Sequence, residues 1–219
     1  MTEIANYISN DYKALKSYES ITEAQEFFEE NNFSHFPVLE DDVYIGSISR
    51  EELDGFDFNK KISDYRYGLE GFFVRDTNIF FDVLEVFAKN NATIIPVLDQ
   101  DNKYLGYFDI ETIIKLFYQT PFLKEQGGTI VVKKTVSDYS MSQITQIVES
   151  NNGKLLGLFV SDSDFETVQI TMKISLGEIN DIIQSFRRYN YEIVSEHQED
   201  DYINILKERS EYLEKYLNI

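Results

Sequence analysis

The period of the hydrophobic pattern changes repeatedly along the chain. Ile21, Ala24, Phe27 and Phe28 recur at helical spacing, which predicts an amphipathic helix with one apolar face. Ser20, with Glu23 three residues on, has the form of a capping box at its start, and Asn31-Asn32 marks its end. Two short apolar runs follow: one from Phe36 through Pro37 to Leu39, the other from Val43 to Ile48 around Gly46. The acidic stretch Glu40 to Asp42 separates them. Such runs, bounded by turn residues, predict two buried strands joined tightly. The succession then repeats. Ile79, Val83, Val86 and Phe87 give a second helix face, with Asn78 in the place of Ser20 and Asn90-Asn91 at the end. Pro96 to Leu98 and Tyr104 to Phe108, around Gly106, give a second strand pair. Helical segments resume after each glycine run. A spacing near sixty residues is long for a solenoid and fits two pseudo-symmetric copies of one small unit.

The flanking stretches are simpler. Ile4, Tyr7, Ile8, Tyr12 and Leu15 show loose helical spacing before a strand. Residues 54–68 read as a connection with Ile62 docked, and Phe72 to Val74 as the first strand of the second copy. Beyond Tyr118 to Pro121 the repeat stops, and Gly127-Gly128 opens a different pattern. Thr129 to Val136 predicts a strand and Met141, Ile144, Ile147 and Val148 a helix. Leu155 to Val160 predicts a strand, and Thr167 to Ile174 alternates at period two. Leu176, Ile179, Ile182, Ile183 and Phe186 form a second helix face before a last strand, Tyr191 to Val194. This βαββαβ order predicts a ferredoxin-like sandwich with both helices on one side of an antiparallel sheet. After the acidic linker Glu196 to Asp201, Tyr202, Ile205, Leu206, Tyr212, Leu213 and Leu217 form a final amphipathic stripe. It has two readings: docking on a neighbour, or packing on its own domain.

Composition narrows the function classes. Asp and Glu number 39 against 20 Lys and Arg, a net charge of −19. Residues 1–126 carry 24 acidic and 11 basic side chains, whereas residues 127–195 carry 8 and 6. Without a basic stripe, such a surface repels nucleic acid and anionic lipid, so neither is expected as a partner. There is no cysteine, hence no disulfide framework and no thiolate metal site. No apolar run approaches the length of a membrane helix, and the N-terminus lacks a basic-then-apolar signal, so a cytoplasmic location is expected. The two histidines, His35 and His197, are too few and too far apart for zinc. Asp99 to Asn102 opens like a calcium loop, yet Tyr104 and Ile110 stand where that loop needs glycine and glutamate. Nucleophile elbow, phosphate loop, dinucleotide fingerprint and metalloprotease pair are all missing, so an enzyme is not expected.

The duplicated pattern resembles the cystathionine-β-synthase (CBS) domain family, whose modules come in tandem pairs called Bateman modules. The matching residues are Phe36-Pro37-Val38 with Tyr44-Ile45-Gly46, and Ile95-Pro96-Val97 with Tyr104-Leu105-Gly106. The third segment is similar to an ACT domain, a small effector-binding and dimerising module. These likenesses imply an α/β (α+β) chain: CBS domain 1 at residues 1–58, CBS domain 2 at 59–126, an ACT-like domain at 127–197, and an acidic linker with a C-terminal helix at 198–219.

In CBS domains that bind adenosine nucleotides, the glycine strand runs into a Gly-x-x-Thr/Ser-x-x-Asp motif. There a hydroxyl meets phosphate and an acid holds the ribose hydroxyls, as hydrogen-bond chemistry allows. The resemblance carries these roles to Gly46, Ser49 and Glu52 in the first copy, with the acid one methylene longer. In the second copy they fall on Gly106, Asp109 and Thr112, where hydroxyl and acid are exchanged and Asp109 would repel phosphate. His35 and Phe36 stand where the family places residues near adenine. Ser49 and Asp109 are also good helix N-caps, which gives them a structural reading too. In the ACT-like segment the loop from Asp138 to Ser142 lacks the glycine that lets backbone approach an amino-acid effector. The expectation is a non-catalytic regulatory protein without a resident cofactor. It would take AMP, ADP or ATP in a CBS cleft, dimerise with itself through the CBS and ACT-like domains, and act on a protein partner the sequence does not name. The alternative is a scaffold with empty clefts whose C-terminal helix recruits a partner.

Overall fold

The structure, a computed structural model, describes residues 4–175 and 179–195. The chain divides into two compact units after Phe117. The expected helix over residues 198–219, together with Leu176 and His197, lies outside the described residues.

The first unit opens with a 3-10 helix (Ile4–Tyr7). It continues through β1 (Leu15–Lys16), α1 (Ile21–Glu30), β2 (His35–Glu40), β3 (Val43–Ser49) and α2 (Arg50–Leu53). A 3-10 helix (Ile62–Gly68) leads to the second copy: β4 (Val74–Arg75), α3 (Phe80–Asn90), β5 (Ile94–Leu98), β6 (Tyr104–Asp109) and α4 (Ile110–Tyr118). Each copy builds a three-stranded sheet, β1-β2-β3 or β4-β5-β6, with one parallel and one antiparallel pairing. The turn between β2 and β3 puts Asp41 and Asp42 at φ 48° and 64°, the double positive φ of a two-residue hairpin.

Local signals explain most of these boundaries. Ser20 and Glu23 form the expected capping box, the Ser20 hydroxyl accepting from the Glu23 amide at 3.2 Å and the Glu23 carboxylate from the Ser20 amide at 2.7 Å. In the second copy the cap position falls on Ile79 rather than on the expected Asn78. Asp82 takes the role of Glu23, accepting from the Ile79 amide at 3.1 Å and from the Asn78 side chain at 3.0 Å. Ile79 has no hydroxyl to accept from the Asp82 amide, so only the carboxylate half of the box forms, and Asn78, whose Oδ1 accepts from the Arg75 amide at 2.6 Å, steadies that carboxylate from one residue earlier. These backbone and side-chain donors hold the Glu23 and Asp82 carboxyls below their ordinary range. Arg50 closes the other end of α1, donating to the carbonyls of Phe28 and Asn31, and Ile110 stands in its place in the second copy.

The first core gathers Ile21, Ala24, Phe28, Phe36, Val38, Ile48, Leu53 and Ile62, and borrows Ile94 and Tyr107 from the second copy. The second core gathers Val74, Val83, Phe87, Ile95, Val97, Phe108 and Ile113, and borrows Ile4. On the axis between the copies, Ser34 and Thr93 bond reciprocally. The Ser34 amide donates to Thr93 Oγ1 at 2.9 Å and the Thr93 amide to Ser34 Oγ at 2.8 Å.

The second unit holds α5 (Pro121–Lys124), β7 (Gly128–Thr135), α6 (Met141–Ser150), β8 (Lys154–Ser163), β9 (Thr167–Ser175), α7 (Ile179–Arg188) and β10 (Glu192–Ile193). Its sheet runs β10-β7-β9-β8 with every pairing antiparallel, the ferredoxin-like order. Ile130, Val132, Val168, Ile170, Met172 and Ile174 face Ile144, Ile147 and Val148 of α6 and Ile182, Ile183 and Phe186 of α7. The period-two alternation of β9 thus puts one apolar row under both helices. Phe186 is fully buried and meets the Tyr191 ring edge-on at 5.4 Å. Removing that ring leaves a cavity the sheet cannot close, so Phe186→Ala should lower stability by about 3–5 kcal/mol in urea unfolding. A loss below about 1 kcal/mol would contradict the packing described.

Candidate functional site in the duplicated unit

Both glycines of the repeat lie where another piece of backbone crosses their strand. Gly46 and Gly106 have φ of 143° and 142°, a region side chains rarely adopt. A β-carbon on Gly46 would stand 2.7 Å from Leu69 Cβ, and one on Gly106 would stand 2.4 Å from the Ser9 carbonyl oxygen. The crossing segments pair with the residue after each glycine. Ser47 and Glu70 exchange two backbone hydrogen bonds of 2.8 Å, and Ser9 and Tyr107 exchange two of 2.9 and 3.0 Å. The exchange is reciprocal: the segment that leads into the first copy crosses the second, and the connection that leads into the second copy crosses the first.

The first cleft is built on that connection. Ser49 ends β3, is buried, and accepts from the Glu51 amide as the N-cap of α2. His35 lies opposite it in register. The buried imidazole has Nδ1 at 2.9 Å from the Ser34 hydroxyl, Nε2 at 3.0 Å from a Glu70 carboxylate oxygen, and the Phe72 ring edge-on. Glu52, one turn into α2, is exposed, and its carboxylate lies against Gly68. The Tyr44 hydroxyl donates to the Phe72 carbonyl at 2.7 Å and sits 3.0 Å from Ser47 Oγ, and burial pushes this phenol's pKa up. His35, Gly46 and Glu52 therefore each meet the connecting segment, and Ser49 stands beside them opposite His35. Phe36 does not join them: it turns into the core between Phe27, Phe33 and Tyr107.

The second cleft keeps the plan and changes the chemistry. Asp109 accepts from the Thr112 amide at 2.8 Å and caps α4, and Ile94 lies opposite it where the first copy has His35. Tyr107 replaces Ser47. Tyr104, the counterpart of Tyr44, buries a hydroxyl with no hydrogen-bond partner among the described residues. Nearby cations have other tasks: Arg66 pairs with Glu40 at 2.9 Å, and Arg50 serves the end of α1. The residues missed in the sequence are Ser34, Tyr44, Glu70 and Thr93. The Ser34–Thr93 pair was findable, since each hydroxyl stands three residues before its proline. Glu70 carries no local signal.

In the second unit, the loop between β7 and α6 holds Asp138, which accepts from the Thr135 hydroxyl at 2.9 Å. An open cleft of about 430 Å³ there is lined by Lys133, Lys134, Thr135, Asp138, Thr167, Asn190 and Glu192. Among the described residues, no group of three or more His, Asp or Glu could hold a metal ion, and no helix is long and apolar enough to cross a membrane.

Residues 4–56 and 72–119 each match the family model of the CBS domain. The first unit is a tandem pair of CBS domains. The solved structures it is similar to include a CBS domain pair/ACT domain protein from Thermotoga maritima, at 13% identity and TM-score 0.49, over 54% of this chain and 98% of that one. CBSX2 in complex with AMP is similar at 20% identity and TM-score 0.46, over 53% and 96%. The CBS domains of a transcriptional regulator from Streptococcus pneumoniae are similar at 14% identity and TM-score 0.47, over 52% and 98%. No curated protein sequence matches the chain.

Within the CBS pair, the geometry separates a structural carboxylate from an available one. Glu70→Ala should strip the buried His35 imidazole of its partner and lower stability by about 1–3 kcal/mol. Glu52→Ala, at an exposed position, should change it by no more than about 0.5 kcal/mol. Chemical denaturation of both variants checks this, and an equal loss in both would contradict the assignment.

Proposed function

We propose that the chain is a non-catalytic regulatory protein whose first CBS cleft takes an adenine nucleotide. The ACT-like segment and the CBS pair would join two copies, a protein partner would receive the signal, and the setting would be the cytoplasm. The working division keeps CBS domains at 1–58 and 59–126, an ACT-like domain at 127–197 and the C-terminal segment at 198–219. The observation that carries the sensor reading is the meeting of Glu52 and His35 with the segment Gly68 to Phe72. That segment is the only covalent link between the two modules, so a ligand resting on it acts on both. Such a ligand shifts the pair only as far as it prefers one arrangement of the segment over another.

The Ser49 hydroxyl, whose oxygen caps α2, would donate its proton to a phosphate oxygen, and the exposed Glu52 carboxylate would accept from two ribose hydroxyls. One observation favours the second reading, a scaffold with empty clefts. Ser49 and Asp109 already serve as helix caps, and Glu70 and Asp109 add negative charge beside any phosphate.

Calorimetry with AMP, ADP and ATP separates the two readings. Glu52→Ala should lose two hydrogen bonds to a charged acceptor, each worth about 1.5–3 kcal/mol, and so on the order of a hundredfold or more in affinity. Thr112→Ala should bind like the parent. Asp109→Ser, which removes a like charge, should add a second binding event. A parent that binds none of the three nucleotides, or a Glu52→Ala variant that binds equally well, leaves the scaffold reading.

A further inference from the structure

Ser34 and Thr93 hold equivalent places in the two copies, and each carries more than its bond to the other. Their amides donate to each other's hydroxyl oxygens, and the two oxygens lie 3.2 Å apart. Their carbonyls accept from the amides that open the next helices, Arg50 of α2 at 2.9 Å and Ile110 of α4 at 3.0 Å. The joint thus touches the starts of both helices that border the clefts. From it one line of side chains leads outward. Ser34 Oγ lies 2.9 Å from His35 Nδ1, and His35 Nε2 lies 3.0 Å from Glu70 Oε1. The line runs from the second module, through the first, to the connection between them. The other cleft has no counterpart, because Ile94 stands where His35 does.

A count of protons gives the line its direction. Each hydroxyl has one proton to give, and an ionised carboxylate only accepts, so Nε2 facing Glu70 carries a hydrogen. With Nδ1 bare, Ser34 donates to Nδ1, Thr93 donates to Ser34, and every proton on the line has an acceptor. With Nδ1 protonated, Ser34 must turn its own proton toward Thr93. The Thr93 hydroxyl is then left with no acceptor among the described residues. What faces Nε2 therefore decides which way Ser34 points: an acceptor there closes the joint, whereas a donor there requires a bare Nε2, moves the proton to Nδ1 and reverses the line. The His35 side chain is 10% exposed and that of Glu70 40%, so the carboxylate is the member a bound group can displace. We propose that His35 is the specificity-determining residue of the first cleft: a group that sets an N–H or O–H against Nε2 in place of Glu70 loosens the Ser34–Thr93 joint, and one that sets an acceptor there leaves it closed. The ligand that brings such a group rests on the first-cleft reading above; the line itself does not. A ligand then acts on the joint only through the difference between these two arrangements.

Substitutions at residue 70 present either kind of group, so the test needs no ligand. Long-range proton–nitrogen spectra of the imidazoles report where each proton sits, and His197→Gln assigns the signals of His35. In the parent at neutral pH the proton should be on Nε2 and Nδ1 bare. Glu70→Lys sets a donor against Nε2 and should move the proton to Nδ1. It should also speed hydrogen exchange at the Ser34 and Thr93 amides roughly tenfold relative to those of β5, the worth of one hydrogen bond. Glu70→Met removes the carboxylate without offering a donor, and should leave that relative exchange within about twofold of the parent. A parent with Nδ1 protonated overturns the proposal, and so does a Glu70→Lys variant whose proton stays on Nε2. A proton that moves while the joint exchanges as before overturns it too, as does Glu70→Met loosening the joint as much as Glu70→Lys. The parent spectrum uses no variant, so it decides the direction of the line even where Glu70→Lys fails to fold. Calorimetry that finds no nucleotide overturns the sensor reading alone, since none of these measurements uses one.

Discussion

The CBS pair depends on two backbone crossings that only glycine permits. At Gly46 and Gly106 a φ near 140° and a missing β-carbon let a second strand segment lie where any side chain would collide. Four backbone hydrogen bonds then fasten Glu70 to Ser47 and Ser9 to Tyr107. Each module alone is small for burying a stable core. Each core draws on the other copy: Ile94 and Tyr107, from β5 and β6, complete the first, and Ile4, from the segment that leads into the first copy, completes the second. The reciprocal Ser34–Thr93 bonds lock the axis between them, and they satisfy donors that would otherwise be buried unpaired.

The same crossings bring the first cleft against the connection between the modules, and the second against the segment that leads into the first copy. The copies have diverged around them. The first keeps polar groups at the cleft, His35, Ser47 and Ser49, where the second has Ile94, Tyr107 and Asp109. The second keeps apolar groups on the outer helices, Phe81 and Ile114, where the first has Thr22 and Asp54.

The legible parts of the sequence were those with local causes. The Ser20–Glu23 capping box, the double-Asp turn and the alternation of Thr167 to Ile174 each act over a few residues, and all three stand as expected. The cap of α3 was misplaced by one residue because the polar side chain that marks it, Asn78, stands before the cap residue Ile79, which has no group to accept a hydrogen bond. The direction of Phe36 was hidden because β2 is buried on both faces, so alternation cannot say which side meets the cleft. The pairing of His35 with Glu70, and of Ser9 with Tyr107, spans separations that no window of sequence contains.

The crossings can be tested by native-state hydrogen exchange at the amides of Ser9, Ser47, Glu70 and Tyr107. If they bind the modules into one cooperative unit, all four should exchange only when the whole CBS pair unfolds. Their opening free energies should agree within about 1 kcal/mol with those of the central strand β5. Exchange at Ser47 and Glu70 through a local opening, far below the protection of β5, would show that the connection detaches by itself and would contradict the coupling derived from it.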